Sequence, residues 1–357
     1  MSVEASVWTF RIKDSSGTLV ANLVKIQKRQ IKLGLNKAGE AYFTYDLKDF
    51  YDLATTVNLT VKSLLGVGRN TLECVRNDEV IFAGQIVNAN IKMDTETATL
   101  EVKVMGWFWL LGFRFAGLTS DKTYSSTDAG SIAWDLIDTT QNLTYGDLGI
   151  TQGTIQTSIN RTLTYTRKNI KEAIEDLSGA DNGFDFEITP TKVFNVYYPI
   201  KGIDRTSTVI FRYPGNIIKS IEEVNDASNL ANSVLAIGSG FGLQEINVQK
   251  DDISAQSVYT LKQRIKRVKD LNNAVVLGDI AQQEIDVYAS INPYFRLKLY
   301  GGNGITPSVE DFSVGDTIRL IIDKSFWSED QDFRIFEIYI TIDELDVENV
   351  ELVIGLI

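Results

Sequence analysis

Apolar and polar residues alternate along FAGQIVNANIKMD (82 to 94), and the same rhythm returns in FRIFEIYITIDEL (333 to 345). Alternation is the period of a strand with one buried face. In each place an acidic turn follows, and a second alternating run ends on glycine, as TATLEVKVMG (97 to 106) and NVELVIG (349 to 355). Both are expected to be antiparallel hairpins. Each is preceded by a further strand and polar turn, NTLECVRNDEV (70 to 80) and DTIRLIIDKSF (316 to 326). Aligning Phe82 with Phe333 and Gly106 with Gly355 gives spans of 25 and 23 residues, a mismatch that a hairpin tip can absorb. The pattern predicts an internal duplication of a β module.

The rest of residues 1 to 110 reads as strands without a helix, including VNLTVKSLL, and so as a barrel or sandwich. GWFWLLGFRF (106 to 115) is too densely apolar for an exposed strand; Trp107, Phe108, Trp109, Leu110, Leu111 and Phe113 are expected mostly between domains. Helical periodicity then appears. Ile132, Ala133, Leu136 and Ile137 form a stripe behind a Thr127 or Asp128 cap, and Ile170, Ala173, Ile174 and Leu177 form another that stops at Gly179. A hairpin, FDFEITPTKVFNVYYP, follows. Strand patterns return from 206, broken by a helix with Leu271, Ala274, Val275, Ile280 or Ala281, Ile285 and Tyr288 on its apolar side.

The expected architecture is mainly β with α+β insertions. Two related β-barrel modules cover 1–115 and 206–250 with 291–357; an α+β insertion covers 116–205, and a helical insertion covers 251–290.

Composition narrows the chemistry. The 357 residues carry a net charge of −12, which argues against gripping nucleic acid through its phosphates. The absence of histidine removes Ser-His-Asp and Cys-His nucleophile pairs and histidine zinc sites. The single cysteine, Cys74, sits in an alternating run where a small hydrophobe fits. With no apolar run of eighteen residues and no basic-then-apolar leader, the chain is expected to fold in a cytosol without membrane insertion. GSGFGLQ (238 to 244) lacks the following helix a phosphate loop needs, and no metal or cofactor is expected. Asp135, Asp138, Glu172, Glu175 and Asp176 fall opposite the apolar stripes, where a solvated face belongs.

Two features suggest interfaces. The run LKQRIKRVKD carries Lys262, Arg264, Lys266, Arg267 and Lys269, readable either as an electrostatic seam to an acidic neighbour or as a solvated strand edge protected from pairing. KSFWSEDQD places Phe326 and Trp327 at a hairpin tip, as an anchor for a partner or as packing onto the helical insertion.

The order of these parts resembles the phage tail baseplate hub family, which includes the tail-associated (Tal-like) hubs of siphovirus tail tips and the hubs of contractile injection systems. The resemblance rests on NTLECVRNDEVIFAGQIVNANI with LEVKVMGWFWLLGFR, on SVYTLKQRIKRVKDLNNAVVLGDIA, and on FSVGDTIRL. It spans essentially the whole chain. It implies a homotrimer whose two barrels per chain make a six-barrel ring, adapting a sixfold tail to threefold tip components. The implied partners are the distal tail protein ring, the tape measure protein and a tip, spike or fibre protein; genome DNA would pass through the lumen without sequence-specific binding. The implied location is the virion tail tip, and the host cytoplasm during assembly. Many relatives continue into a peptidoglycan-cleaving domain where this chain ends, so no enzymatic activity is expected. Two rival readings are a tail-associated cell-wall glycosidase and a carbohydrate-binding receptor protein using the aromatics of KSFW and VYYP.

Overall fold

A computed structural model of the chain describes residues 6–180, 182–215, 217–268, 271–302 and 306–356. The first module contains β1 (Trp8–Lys13), β2 (Leu19–Leu23), β3 (Lys28–Gly34) and β4 (Glu40–Asp46), then two short helices, α1 (Leu47–Thr56) and α2 (Val61–Leu65). It closes with β5 (Thr71–Arg76), β6 (Glu79–Met93) and β7 (Ala98–Gly106), followed by a 3₁₀ turn over Trp107–Phe113.

The helices correct the expectation of strands alone. Asp46 caps α1 by accepting from the amides of Lys48 (2.9 Å) and Asp49 (3.1 Å), and Thr60 caps α2 through Ser63 N (3.1 Å). Gly66 ends α2 at φ +46, where an added Cβ would lie 2.3 Å from the Asn70 side chain. In the 3₁₀ turn Trp107, Phe108 and Leu111 are buried as expected, whereas Phe113 is exposed.

An inserted domain follows, with β8 (Phe115–Ala116), β9 (Lys122–Asp128), α3 (Ala129–Gln141), β10 (Thr151–Gln152), β11 (Asn160–Tyr165), β12 (Lys168–Asn169), α4 (Ile170–Ser178), β13 (Asp185–Ile188) and β14 (Val193–Tyr197). Its core joins the α3 and α4 stripes to Phe184, Phe186, Phe194 and Val196. Asp128 caps α3 and Asn169 caps α4.

The second module opens with β15 (Ile210–Tyr213) and β16 (Ile218–Val224). A second inserted unit contains β17 (Ser233–Ile237), β18 (Asn247–Asp251), α5 (Ile253–Tyr259), β19 (Gln263–Arg267) and α6 (Ala274–Tyr288). The module then resumes with β20 (Tyr294–Tyr300), β21 (Thr317–Lys324), β22 (Trp327–Ile342) and β23 (Glu348–Gly355). Residues 233–251 therefore leave the second module, where the sequence placed them. They pair with β19 in a separate three-stranded sheet, because Val234 and Ala236 pack on Leu277, Ala281 and Ile285 of α6. On that helix Ala274 and Val275 are exposed, not part of the buried stripe. Among the described residues no helix is long and apolar enough to cross a membrane.

The duplication is real at the level of connectivity. Five antiparallel strands run β3-β4-β7-β6-β5 in the first module and β16-β20-β23-β22-β21 in the second. The long strands share a β-bulge at matching places: the register shifts between Ile86 and Asn88 in β6, and between Ile335 and Glu337 in β22. Pairing through that bulge sets the correspondence, with Ile86 matching Ile335 and Val104 matching Ile354. Thr71, Leu72 and Cys74 then match Thr317, Ile318 and Leu320, and the last two of each trio are 0% exposed. The alignment of Phe82 with Phe333 and Gly106 with Gly355 is thus out of register. Gly84 matches Phe333, and Met105 matches Gly355.

The modules are fused into a single sheet. β3 pairs antiparallel with the C-terminal half of β22, from Glu337 opposite Gly34 to Ile342 opposite Arg29. One continuous core cluster, with Phe10, Ile31, Phe43 and Leu72 at one end and Leu320, Ile340 and Leu352 at the other, serves both modules. Cys74 belongs to it, and burial pushes its thiol well above the ordinary value.

Candidate interaction surfaces

The hairpin of β21 and β22 turns tightly, with Lys324 opposite Trp327, so only two residues project beyond the last pair. Phe326 is 85% exposed at that tip. Trp327 is not: it lies back on its own module, stacked on Phe295 with ring centroids 6.2 Å apart. The expectation of a two-aromatic anchor, or of packing onto the helical insertion, is corrected accordingly. Phe241 and Tyr145, exposed by 90% and 99%, are solvent-facing aromatics the sequence reading passed over.

The basic run forms β19, which pairs parallel with β17. Alternation sends Arg264 and Lys266 to one face, where both reach Glu284 of α6 (3.1 and 2.9 Å). Arg264 also stacks over Tyr288, its guanidinium carbon 3.9 Å from the ring centroid. Arg267, on the other face, meets Glu245 at 3.1 Å. Lys262 is exposed, and its backbone is held by Asn232, whose Oδ1 accepts from Lys262 N at 2.8 Å. Lys269 lies outside the described residues. Arg264, Lys266 and Arg267 are thus ion-paired within the chain, through two carboxylates. Burial pushes the Glu284 carboxyl up, but hydrogen bonds from Lys266 and Arg264 outweigh it and hold it below the ordinary carboxylate range.

The open face of the fused sheet is polar. Over β3, β4, β7 and β6 it forms a groove of about 340 Å³ lined by Lys28, Gln30, Tyr42, Asn88, Glu101 and Lys103. Two Lys–Tyr–Glu clusters organise this face. Tyr42 donates to Glu40 (2.5 Å), with Lys103 3.2 Å from Glu40; Tyr339 donates to Glu337 (2.6 Å), with Lys32 3.4 Å from Glu337. The second cluster straddles the β3–β22 seam, and Lys37 adds a further ion pair to Glu337 at 3.0 Å. Burial raises the Glu337 carboxyl, yet hydrogen bonds from Tyr339 and Lys37 leave it lowered.

A larger cleft, about 690 Å³, lies between α4 and α6 of the two inserted units. Of its carboxylates, Glu172 and Asp176 meet Lys168 (3.2 and 2.9 Å), Glu175 meets Lys171 (2.8 Å), and Glu284 meets its two cations. A glycosidase needs two carboxyls opposed across a cleft, one kept protonated. Asp135, on α3, accepts from Tyr124 (2.7 Å) and pairs with Lys122 (2.6 Å), which lowers it despite burial. Glu284 and Asp135 are thus lowered, whereas a general acid is raised.

No family model matches the sequence, and no curated protein does. Solved structures do match in fold. The tail protein from Neisseria meningitidis MC58 superimposes with a TM-score of 0.63 at 12% identity, covering 98% of this chain and 96% of that one. The prophage MuSo2 43 kDa tail protein from Shewanella oneidensis gives 0.63 at 12% identity, covering 97% of each chain. The prophage tail protein gp18 from Listeria monocytogenes EGD-e gives 0.55 at 10% identity, covering 97% and 94%. At such identities the likeness establishes a common fold.

Proposed function

We propose that this chain is a structural baseplate hub or tail-tip protein of a tailed bacteriophage, built into the virion as a trimeric ring and without catalytic activity. The observation that carries this reading is the repeated five-strand order, joined within one sheet, in a fold shared end to end with tail proteins. Fold alone does not assign function, but the repeat supplies a physical reason for one. A sixfold tube meeting a threefold tip needs an adaptor that presents six similar faces from three chains, and a duplicated module does that.

One face of the ring would seat on the distal tail protein ring around the end of the tape measure protein. The other would hold a tip, spike or fibre protein. Exposed aromatics such as Phe326, Phe241 and Tyr145 suit such contacts, because a rigid apolar ring gains much on burial and loses little entropy. The net charge of −12 suits a channel through which DNA slides without being held. The ion-paired carboxylates support a structural role.

Negative-stain electron microscopy of the purified, concentrated chain tests this reading. The expected class average is a ring of six lobes about a channel with threefold symmetry. Averages of compact single particles without a channel would refute it.

A further inference from the structure

Two bare strand edges border the cleft between the inserted units. Among the described strands β11 pairs with β9 alone, and β19 pairs with β17 alone. Arg161, Leu163 and Tyr165 of β11 line the same space of about 690 Å³ as Lys266 and Arg267 of β19. The two units share neither a strand nor a core cluster, so packing between them does not fill the gap. Parity shows which backbone groups of β19 point outward. Lys262 O accepts from Ser233 N (3.1 Å), and Val268 N donates to Ile237 O (2.8 Å), so even-numbered residues turn their amides and carbonyls to β17. Gln263, Ile265 and Arg267 turn theirs away from the sheet. An edge of that kind is a template for a further strand.

The helix layer supplies apolar cover for such a strand. On α6 the stripe Leu277, Ala281 and Ile285 is buried within its own unit. A second stripe, Val276, Ile280 and Val287, borders the cleft, and Val287 is 48% exposed. The sequence offered Ile280 and Ala281 as alternatives for one stripe, whereas each serves a different one. Phe115, 44% exposed, adds to the lining from the first unit. The strand layer beside the gap is cationic, with Arg161, Lys266 and Arg267 on its border. Arg264 and Lys266 share the single carboxylate of Glu284. The remaining acids of the cleft belong to the helix layer, where Lys168 and Lys171 hold Glu172, Glu175 and Asp176; Asp279 lies there too. A strand seated about 4.8 Å from its neighbours has the strand-layer cations as its cross-strand partners. Opposite charges in such pairs stabilise, and like charges destabilise.

We infer that this cleft is a strand-addition site, which takes an extended segment of another polypeptide, alternating apolar and acidic residues, between β11 and β19. Its apolar side chains lie on Ile280 and Val287, and its acidic ones lie beside Arg267 on the other face. The outward amides and carbonyls of Ile265 and Arg267 hold its main chain. The bound segment joins two separate small sheets into one and ties the inserted units together.

Fluorescence anisotropy on the full-length chain tests this with a short labelled peptide alternating valine and glutamate. The peptide is expected to bind. A copy N-methylated along one edge lacks main-chain donors and is expected to bind at least about tenfold more weakly. The counterpart alternating valine and lysine is expected to lose at least about tenfold as well. Ile280→Glu is expected to abolish binding, and Val287→Glu repeats that test at a half-exposed position outside the core. Val275→Gln, on α6 but outside the cleft and 73% exposed in the wild type, is expected to leave binding unchanged. Absence of binding, or binding that ignores N-methylation or both cleft variants, overturns the site. Peptide binding that dissolves self-association of the chain gives the cleft to a second copy and overturns the assignment to a separate partner.

Discussion

Arg76 Nε donates to Glu348 at 2.8 Å, and both side chains are only 1% exposed. Arg76 ends β5 in the first module, and Glu348 opens β23 in the second, so this buried ion pair rivets the two copies together. Trp8 Nε1 (3.1 Å) also donates to Glu348, Ser6 accepts from Arg76 at 2.8 Å, and Glu310 closes the cluster from outside.

Removing Glu348 takes away the buried counter-charge of Arg76 and leaves it Glu310 alone, at the rim. Glu348→Ala is expected to destabilise the chain by about 3–5 kcal/mol, read as a lowered urea midpoint. The double variant Arg76→Met with Glu348→Leu is expected to recover most of that loss, because it buries no lone charge.

Asp128 caps α3 through Ser131 N (3.0 Å), and its other oxygen accepts from Thr157 N, Thr157 Oγ1 and Ser158 N at 2.7 to 3.0 Å. Asp128→Ala is expected to cost about 1–2 kcal/mol, and Asp128→Asn also to destabilise, because if its oxygen keeps the cap its amide nitrogen faces the Thr157 and Ser158 donors. Thermal unfolding of the two variants checks this.

The two tip aromatics should separate cleanly. Phe326→Ala is expected to change stability by no more than about 0.5 kcal/mol, as for an exposed position without partners in the fold. Trp327→Ala is expected to cost about 2–3 kcal/mol through loss of its contact with Phe295. Equal effects on the denaturant midpoint would contradict the assignment of one to solvent and the other to the core.

Glu337 gives the β3–β22 seam a sign in pH. Its folded carboxyl is lowered from the ordinary value of 4.5, so its contribution is fully present above that value and is lost as pH falls through the depressed one. Unfolding midpoints measured from pH 6 down to pH 3 should fall at the acid end. In Glu337→Gln the acid limb should be shallower and the stability at pH 6 lower.

Much of the fold was legible because strand alternation and helix stripes are local signals. The stripes of α3 and α4, with a cap at Thr127 or Asp128 for the first and a stop at Gly179 for the second, follow from spacing alone. What failed was decided by partners distant in sequence. The run through Val57, Thr60 and Val61 is β-branched and reads as a strand, yet a Thr60 cap and a Gly66 stop close a helix too short to show a period. NSVLAIGSG reads as a barrel strand would, and nothing local says that α6 claims its face. Phenylalanine and glycine landmarks misaligned the repeat because residue identity does not set register: Phe82 pairs with Cys74, and the residue in the matching place, paired with Leu320, is Gln331. The parity that turns Arg264 and Lys266 toward Glu284 was readable, but not the helix that supplies the acid.

The central claim is that duplicated modules let three identical chains close a ring, and the mass of the assembled protein tests it most directly. Light scattering on the purified full-length chain across a concentration series is expected to converge on three times the 39.9 kDa chain mass, without a persistent dimer. A constant mass of one chain at every concentration would contradict the account.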